Sequence, residues 1–457
     1  MSENPRPDAA PVHETAPPVY DGLPVIGNTH QLVRDQDELY EAAAEHGDVV
    51  RLRLLGIGEL YQVNHPDLVE RILVDDRDRF RKASLSRDDL GDLIGDGLVL
   101  SEGELWERQR ERIEPALYMD RIAEYADTMA AEVRAAADAW TGNSTVNIED
   151  EMKSLTLRIL VTSMFGSEID YEGRGVRETV RDLQEPGRPV KQPISRTVPR
   201  WVPIPMWRRY REAIREMESL IDEIVDARRE EGPGKHDDLL GKLLTATDDD
   251  GEGMSEELLR DELMTFLFAG HETTATALTF TWFLLARHPD VERRLVAELE
   301  DVLEEDHATF ADLPRLEYTE RVLREAMRLY PPVPSVPRET AEPVTLGGYS
   351  IPEAATVAPM QWTIHRDERF WSDPLAFRPD RFVEEGDRPR FAYFPFGGGP
   401  RRCIGQRFAL VEAKLILATL ARRYRLELVS DPEIDLSVSI TTRPLDPIEM
   451  RVESRRE

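Results

Sequence analysis

The sequence contains very little cysteine and no long apolar run. Cys403 is its one cysteine among 457 residues, which excludes an intrachain disulfide and a metal site built from several cysteines. No stretch reaches the ~18 uncharged apolar residues that a membrane-spanning helix needs. The first 20 residues include five prolines and lack the apolar core of a signal peptide. We expect a disordered, proline-rich acidic tail over residues 1–20, one domain over residues 21–457, and no transmembrane segment.

Lysine is also scarce, and acidic residues outnumber basic ones. The chain has 58 Lys and Arg against 89 Asp and Glu, a net charge of −31, and only six of the basic residues are lysine. This acidity argues against nucleic acid and anionic membranes as main partners. Acid-rich, lysine-poor surfaces suit a very salty cytoplasm, because salt screens the self-repulsion of the chain. We therefore expect a halophilic, cytoplasmic protein.

The lone cysteine lies in a glycine-rich stretch that is followed by a predicted helix. A single cysteine is by default a small buried hydrophobe. Here Gly397–Gly399 precede Cys403 and Gly405 follows it, which lets the backbone approach a flat ligand closely. A strongly helical run begins at Gln406, so Cys403 lies at or just before a helix N-terminus, where a thiol pKa is lowered. A thiolate in such a place is a good axial ligand for haem iron.

A second unusual segment lies in the middle of a long predicted helix. Ser255 can cap this helix, which we expect to run to about Arg287 and to span roughly 50 Å. Its centre, Ala269–Thr274, interrupts the apolar run with a glycine, a glutamate and two threonines. Small residues there leave space, and a threonine hydroxyl can compete for a backbone carbonyl. Such breaks are expected at functional sites; the alternative is a buried glutamate satisfied by its neighbours.

The cysteine segment resembles the haem-binding signature of the cytochrome P450 family, the haem-thiolate monooxygenases. The fixed positions of that signature are matched by Phe396, Gly399, Arg401, Cys403 and Gly405. The resemblance covers about residues 22–450. It implies a mainly α fold with a smaller β-rich part (α+β), and a long central helix that crosses the haem. The implied cofactor is haem b, with its iron axially ligated by Cys403.

Three further motifs match the family in the same order along the chain. Glu272 and Thr273 match the acid and the threonine of its oxygen-binding groove, next to Ala269, and would deliver protons during catalysis. The other matches form two groups: the haem-binding Trp106, Arg110, Arg338 and Arg401, and a buried structural triad of Glu325, Arg328 and Arg381. Spacing alone would instead predict that Arg110 is a surface cation packed on the Trp106 ring. It would likewise predict that Glu325 and Arg328 form an exposed ion pair.

The resemblance implies insertion of one oxygen atom of O2 into an apolar organic substrate. Fatty acid, terpenoid and carotenoid substrates all remain open. One cysteine cannot hold an iron–sulfur cluster, and we expect no fused flavin module, so electrons should come from another protein. We expect a monomer that receives them from a small acidic ferredoxin, itself reduced by its reductase. The ferredoxin would dock on a basic island formed by Arg108, Arg112, Arg401 and Arg402.

Two rival functions belong to other classes. An H2O2-dependent haem peroxygenase would replace the acid of the long helix, so Glu272 speaks against it. A non-catalytic haem or lipid binder would need neither Glu272 nor Thr273.

Three segments outside these motifs also carry expectations. Residues 82–100 show little periodicity and predict a loop, which in the family lines one wall of the substrate pocket. The proline-stiffened segment 201–207 is a pocket lid, a shallow membrane contact or packed loop, and we favour the lid. Residues 434–449 predict a terminal hairpin whose turn, near Thr441 and Thr442, could touch substrate.

Overall fold

The computed structural model describes residues 15–140, 142–167, 176–184, 198, 200–232, 234–247, 253–383 and 386–455. Much of the loosely patterned stretch 166–206, and the acidic loop at 248–252, lie outside these ranges. Among the described residues, no helix is both long enough and apolar enough to cross a bilayer.

Helices make up most of the described chain, as the α+β expectation requires. They are α1 (Thr29–Arg34), α2 (Gln36–Ala44), α3 (Pro66–Glu70), α4 (Ser84–Ile94), α5 (Gly103–Ile113), α6 (Met119–Ala139), α7 (Ile148–Phe165), α8 (Val176–Gln184), α9 (Pro205–Glu231), α10 (Leu239–Thr245), α11 (Glu256–Arg287), α12 (Pro289–Val302), α13 (Glu317–Leu329), α14 (Gln361–Ile364) and α15 (Gln406–Arg423).

Within the described ranges the strands are short and form four small sheets. They are β1 (Val49–Leu54), β2 (Gly58–Val63), β3 (Phe80–Lys82), β4 (Thr145–Asn147), β5 (Arg338–Thr340), β6 (Val344–Leu346), β7 (Tyr349–Ile351), β8 (Thr356–Pro359), β9 (Tyr424–Leu428), β10 (Leu436–Val438), β11 (Thr442–Pro444) and β12 (Glu449–Ser454). The largest sheet has the order β1-β2-β8-β5-β3, and β10 pairs with β11 as the expected terminal hairpin.

The long helix α11 is the centre of the helical part. Ser255 accepts a hydrogen bond from the Leu258 N–H at 3.2 Å and caps its N-terminus, as predicted. The helix packs against α7, α9, α13 and α15, so most of its side chains are buried over the whole length to Arg287. It stays helical through Ala269–Thr274, and the threonine hydroxyls there bond to carbonyls without opening the helix.

The predicted loop over residues 82–100 is wrong in part, because Ser84–Ile94 forms helix α4. Its eleven residues include Gly91 and three aspartates against four apolar side chains, of which Leu93 and Ile94 are buried, so the helical pattern in its sequence is weak. The chain after α4 packs closely on α11: a Cβ atom on Gly95 would meet the Asp261 carboxylate at 2.2 Å. Helix α4 is therefore positioned by tertiary contacts that periodicity does not reveal.

The expected disordered tail ends earlier than residue 20. Backbone hydrogen bonds join the Tyr20 N–H to the Arg51 carbonyl at 3.0 Å and the Arg51 N–H to the Pro18 carbonyl at 2.8 Å. Residues 18–20 thus pair with β1 as part of the fold. Residues 1–14 lie outside the described residues.

Candidate active site

All of the predicted catalytic and haem-binding residues meet in one cavity. It has a volume of about 480 Å³ and lies between the middle of α11 and the loop that carries Cys403. Most of its wall is apolar, with side chains such as Leu160, Phe266 and Val336. The predicted residues that line it are Trp106, Arg110, Ala269, Glu272, Thr273, Arg338, Phe396, Arg401, Cys403 and Gly405.

The cysteine loop is closed by its own backbone. The Cys403 N–H donates to the Phe396 carbonyl at 3.0 Å, and α15 begins directly after Gly405. The thiol is exposed to the cavity. Burial raises the pKa of the Cys403 thiol, while the Gly405 N–H and the cations of Arg110 and Arg402 act in the opposite direction. In the polypeptide alone, burial therefore outweighs the lowering of the thiol pKa that we expected from the helix N-terminus.

The glycines before the cysteine serve the protein's own packing more than a ligand. Gly399 has φ +66°, and a Cβ atom there would lie 1.9 Å from the Leu73 carbonyl oxygen. A Cβ atom on Gly398 would meet the Phe391 ring at 2.4 Å. Of the four glycines around Cys403, only Gly397 and Gly405 have open space where a Cβ atom would lie. The expectation that all these glycines admit a flat ligand is thus corrected for Gly398 and Gly399.

Gly270 on α11 is also required by the packing of the protein itself. A Cβ atom on it would lie 2.3 Å from Cδ1 of Leu160 on α7. This glycine therefore allows the two helices to pack closely, in addition to facing the cavity. Ala269 leaves the space on the cavity side.

Basic side chains converge on one end of the cavity. The Arg401 guanidinium stacks on the Trp106 ring at 4.5 Å from its centroid, and Arg110 lies 5.7 Å from it. Arg401 donates to the Ser101 carbonyl at 2.8 Å, and Arg338 to the Pro337 carbonyl at 2.9 Å. Burial, with repulsion from Arg401, lowers the pKa of Arg338 to about 10. Among the described residues no carboxylate forms an ion pair with Arg338 or Arg401, although the Glu102 carboxylate is near enough to attract both cations. Cations therefore outnumber carboxylates at this end of the cavity.

Lys82 belongs to the same group and was missed by motif reasoning. It is opposite Arg338 in the β3–β5 pairing and lines the cavity. Burial, with repulsion from Arg338 and Arg401, lowers its pKa to about 7. The one signal in the sequence that could have pointed to Lys82 was the scarcity of lysine, since the chain contains only six lysines. A ligand with two carboxylates and a flat apolar body fits this cavity, and haem b has that form.

Glu272 and Thr273 occupy neighbouring positions on α11 and line the same cavity. The Thr273 hydroxyl donates to the Ala269 carbonyl at 3.0 Å. Glu272 is 1 % exposed, and its Oε1 accepts a hydrogen bond from the Thr441 hydroxyl at 3.0 Å. Arg443 of strand β11 lies 3.4 Å from the same oxygen. One oxygen of this glutamate is thus satisfied by neighbours, and the side chain also faces the cavity.

The terminal hairpin contributes more to the site than the sequence indicated. Its turn residues Ser439, Ile440 and Thr441 line the cavity, whereas Thr442 instead bonds to the Pro331 carbonyl at 2.7 Å. Arg443 was not singled out, because an arginine in a short predicted strand is ordinarily exposed. Here it is 3 % exposed.

The three residues of the expected triad do come together, away from the cavity. Arg328 bonds to both carboxylate oxygens of Glu325 at 2.8 Å, and Arg381 Nε bonds to Oε1 at 2.8 Å. Arg328 also donates to the His365 carbonyl at 2.7 Å, and His365 accepts from the Phe394 N–H at 3.0 Å. This buried network therefore reaches the chain two residues before the cysteine loop begins.

The segment 201–207 does not line the cavity. Trp201 is 78 % exposed, whereas Trp207 is buried and its indole donates to the Val198 carbonyl at 3.2 Å. The preceding Arg200 forms an ion pair with Asp92 at 2.5 Å. The segment thus lies over α4, which is itself part of the cavity wall, and the favoured interpretation as a direct lid is not supported.

Comparisons with known proteins agree with this geometry. A family model described as Cytochrome P450 matches residues 17–448. Cyclooctatin synthase of Streptomyces melanosporofaciens is 35% identical over 439 residues, 95% of this chain and 94% of that protein. Cyclooctat-9-en-7-ol 5-monooxygenase of the same organism is 36% identical over 415 residues, 88% of each. Pentalenene oxygenase of Streptomyces avermitilis is 31% identical over 414 residues, 90% of this chain and 91% of that protein.

A solved structure shows the same fold. The crystal structure of the cytochrome P450DA heme domain superposes with a TM-score of 0.87 at 31% identity, covering 97% of this chain and 98% of that one. Sequence, fold and cavity thus lead to one conclusion: the chain belongs to the cytochrome P450 family.

Proposed function

We propose that Cys403 ligates haem b in this cavity and that Glu272 and Thr273 deliver protons for the oxidation of an apolar cyclic substrate. Family membership makes the chain a haem-thiolate monooxygenase that uses O2, an organic substrate and a redox partner. The observation that carries the proposal is that the single cysteine, the Glu272–Thr273 pair and the cluster of cations face one apolar-walled cavity.

Each group would have a separate task. When bound, the haem supplies the redox chemistry that activates O2. Cys403 would hold the iron, and the cations would bind the propionates. Thr273 would position a proton at its hydroxyl, and Glu272 would exchange protons with it. The apolar wall would exclude bulk water and select for a substrate without charge.

A cyclic alkene or unsaturated alcohol is the substrate class that we propose. The support comes from the names of two relatives, which state that they act on cyclooctat-9-en-7-ol and pentalenene, and from the apolar wall of the cavity. The test is to titrate the ferric haem protein with pentalenene, dodecanoic acid and β-carotene, and to follow the absorption shift on displacement of the iron-bound water. We expect pentalenene to produce the shift at the lowest concentration. A response to dodecanoic acid alone would contradict the proposed class.

The cation cluster leads to a prediction about haem retention. Replacing Arg110, Arg338, Arg401 or Lys82 by a neutral side chain of similar length should weaken haem binding. An Arg–carboxylate hydrogen bond contributes ~1.5–3 kcal/mol, so each loss corresponds to roughly 10- to 100-fold in affinity. The measurement is the rate of haem transfer to excess apomyoglobin.

The matched control for this prediction is Arg108→Leu. Arg108 is on the same helix as Arg110 but is exposed, with Glu104 at 4.0 Å. Its replacement should leave haem transfer unchanged, while circular dichroism verifies that all the variants fold. Equal transfer rates for Arg338→Leu and Arg108→Leu would exclude the propionate role.

We further propose a small acidic ferredoxin, with its reductase, as the electron donor to a monomeric, cytoplasmic enzyme. The support is the basic island expected from Arg108 and Arg112 on α5 and from Arg401 and Arg402 in the cysteine loop, in a chain of net charge −31. Arg402 is exposed, and its carbonyl accepts a hydrogen bond from Arg110 at 3.4 Å. This island offers local attraction to an acidic partner that the rest of the surface repels.

Salt should therefore accelerate electron transfer from such a ferredoxin. The Debye length falls from ~10 Å at 0.1 M to ~3 Å at 1 M, so long-range repulsion disappears while contact pairs partly survive. We expect the rate of haem reduction to rise with salt. Arg402→Glu should reduce it severalfold at every salt concentration, and Arg425→Glu, on β9, should not. A monotonic fall of the rate with salt would contradict this docking site.

A further inference from the structure

The predicted acid of α11 is held by a strand far from it in sequence. Thr441 and Arg443 both approach Oε1 of Glu272, at 3.0 Å and 3.4 Å. Glu272 is 1 % exposed and Arg443 is 3 % exposed. Taking two charges out of water is costly unless they compensate each other, so removal of either one leaves an expensive buried charge. The ion pair therefore ties α11 to strand β11.

The second oxygen of the same carboxylate has a different environment. Oε2 of Glu272 is buried and accepts no hydrogen bond from any residue that the structure describes. Because Glu272 lines the cavity, one oxygen is anchored on the hairpin while the other keeps its acceptor capacity. A group that exchanges protons with the site needs such capacity.

The hairpin connects this anchor to the ligand space. Val438 pairs with Thr442, so residues 439–441 form the turn, and all three line the cavity. The strand pair next to the turn is attached to the chain after α13, because the Thr442 N–H donates to the Pro332 carbonyl at 2.9 Å. A ligand that presses on Ile440 therefore acts on Thr441 while the two strands of the hairpin stay in place.

We propose that the C-terminal hairpin, Leu436–Pro444, positions Glu272 for proton delivery. Arg443 and Thr441 hold the carboxylate, and a ligand that fills the cavity against the turn loosens the Thr441 bond and releases the carboxylate toward the cavity. This proposal rests on the proposed function, since it needs Glu272 as the proton-delivering acid. Linkage requires that the ligand and the Thr441–Glu272 bond weaken each other by the same factor. Arg443 and Thr441 are thus positioning residues that act through Glu272.

Two azoles test the linkage by absorption titration of the ferric haem protein. Imidazole coordinates iron through its ring nitrogen and fills little of the cavity, whereas clotrimazole adds three aromatic rings that fill it. Thr441→Val should bind clotrimazole roughly tenfold more tightly than the wild type, because the ligand no longer breaks a hydrogen bond to a carboxylate. Imidazole affinity should not change. In the Glu272→Gln background the gain in clotrimazole affinity should shrink, since a neutral acceptor bonds more weakly.

Ser437→Ala is the matched control. Ser437 is buried in the same hairpin, opposite Arg443, and bonds to Gln36 at 3.3 Å rather than to Glu272. It should leave both azole affinities unchanged. An equal gain in Ser437→Ala, no gain in Thr441→Val, or clotrimazole failing to bind where imidazole binds would overturn the hairpin's role. If neither azole shifts the wild-type absorption band, the proposed haem function itself fails, and this inference with it.

The role of Arg443 is tested by measuring how many of the supplied electrons end in H2O2. A deazaflavin illuminated with EDTA as the sacrificial electron donor supplies them without a protein partner. H2O2 formed per electron is measured in O2, after subtraction of the H2O2 that the same mixture forms without the enzyme. Arg443→Met should increase this ratio severalfold, and Arg443→Lys should restore it. In the Glu272→Gln background Arg443→Met should have no further effect. Additive effects of the two substitutions would mean that Arg443 only stabilises the fold.

Discussion

The Cys403→Ser variant is expected to lose the absorption band of the reduced, carbon-monoxide-bound haem after which the cytochrome P450 family is named. The band depends on a thiolate ligand, and a serine oxygen is a much harder and poorer donor to this iron. No other thiol can replace it, since Cys403 is the one cysteine of the sequence. Monooxygenase activity should fall below detection. The measurement is the difference spectrum after reduction with dithionite.

A nearby control separates the loss of the ligand from a disturbed loop. Arg407 is exposed on the first turn of α15, and Arg407→Ser should keep the band in full. Haem content is measured in parallel, because Arg110, Arg338 and Arg401 should still bind the propionates in Cys403→Ser. Persistence of the band in the serine variant would show that Cys403 is not the ligand.

Thr273→Ala is expected to bind haem and ligand normally but to divert electrons from product to H2O2. Its hydroxyl donates to the Ala269 carbonyl at 3.0 Å and lies on the cavity wall, where it can order a proton donor. Positioned acids and bases contribute roughly 10²–10⁴-fold to a rate. We therefore expect product per NAD(P)H consumed to fall by about tenfold or more. Glu272→Gln should instead slow turnover by about 10²-fold.

The same helix supplies a close control. Thr279 makes the same bond to the carbonyl four residues before it, to Ala275 at 2.7 Å, but it does not line the cavity. Thr279→Ala should keep the coupling of the wild type. Unchanged coupling in Thr273→Ala, or an equal loss in Thr279→Ala, would remove the Thr273 hydroxyl from the mechanism.

The local parts of this protein could be predicted from the sequence. The cysteine loop is a run of ten residues, and Cys403 and Phe396 are close enough along the chain to share a backbone hydrogen bond. The cap at Ser255 needs only the next turn of helix. Glu325 and Arg328 are three residues apart on one helix. In each case the interacting groups are neighbours in sequence, so their pattern is visible without a structure.

Other features were visible only in part. Helix α4 was predicted as loop, since Gly91 and three aspartates weaken its helical pattern and its contacts with α11 are not visible in the sequence. Gly398 and Gly399 were predicted as glycines for a ligand, whereas the segments they approach, at Phe391 and Leu73, are brought there by the fold. A glycine in the sequence indicates that another group approaches the backbone closely, but it does not identify that group.

The tertiary structure alone added Lys82 and Arg443 to the charges of the site. Lys82, Arg110, Arg338 and Arg401 come from two strands, a helix and a loop, and they meet because β3 pairs with β5 beside the cysteine loop. The partner of Glu272 is likewise Arg443, 171 positions further along the chain, which reaches it through the terminal hairpin. A charge interacts with whatever the fold places within a few ångströms. The sequence by itself determined which chemistry this chain carries, and the packing of distant segments decided how that chemistry is held.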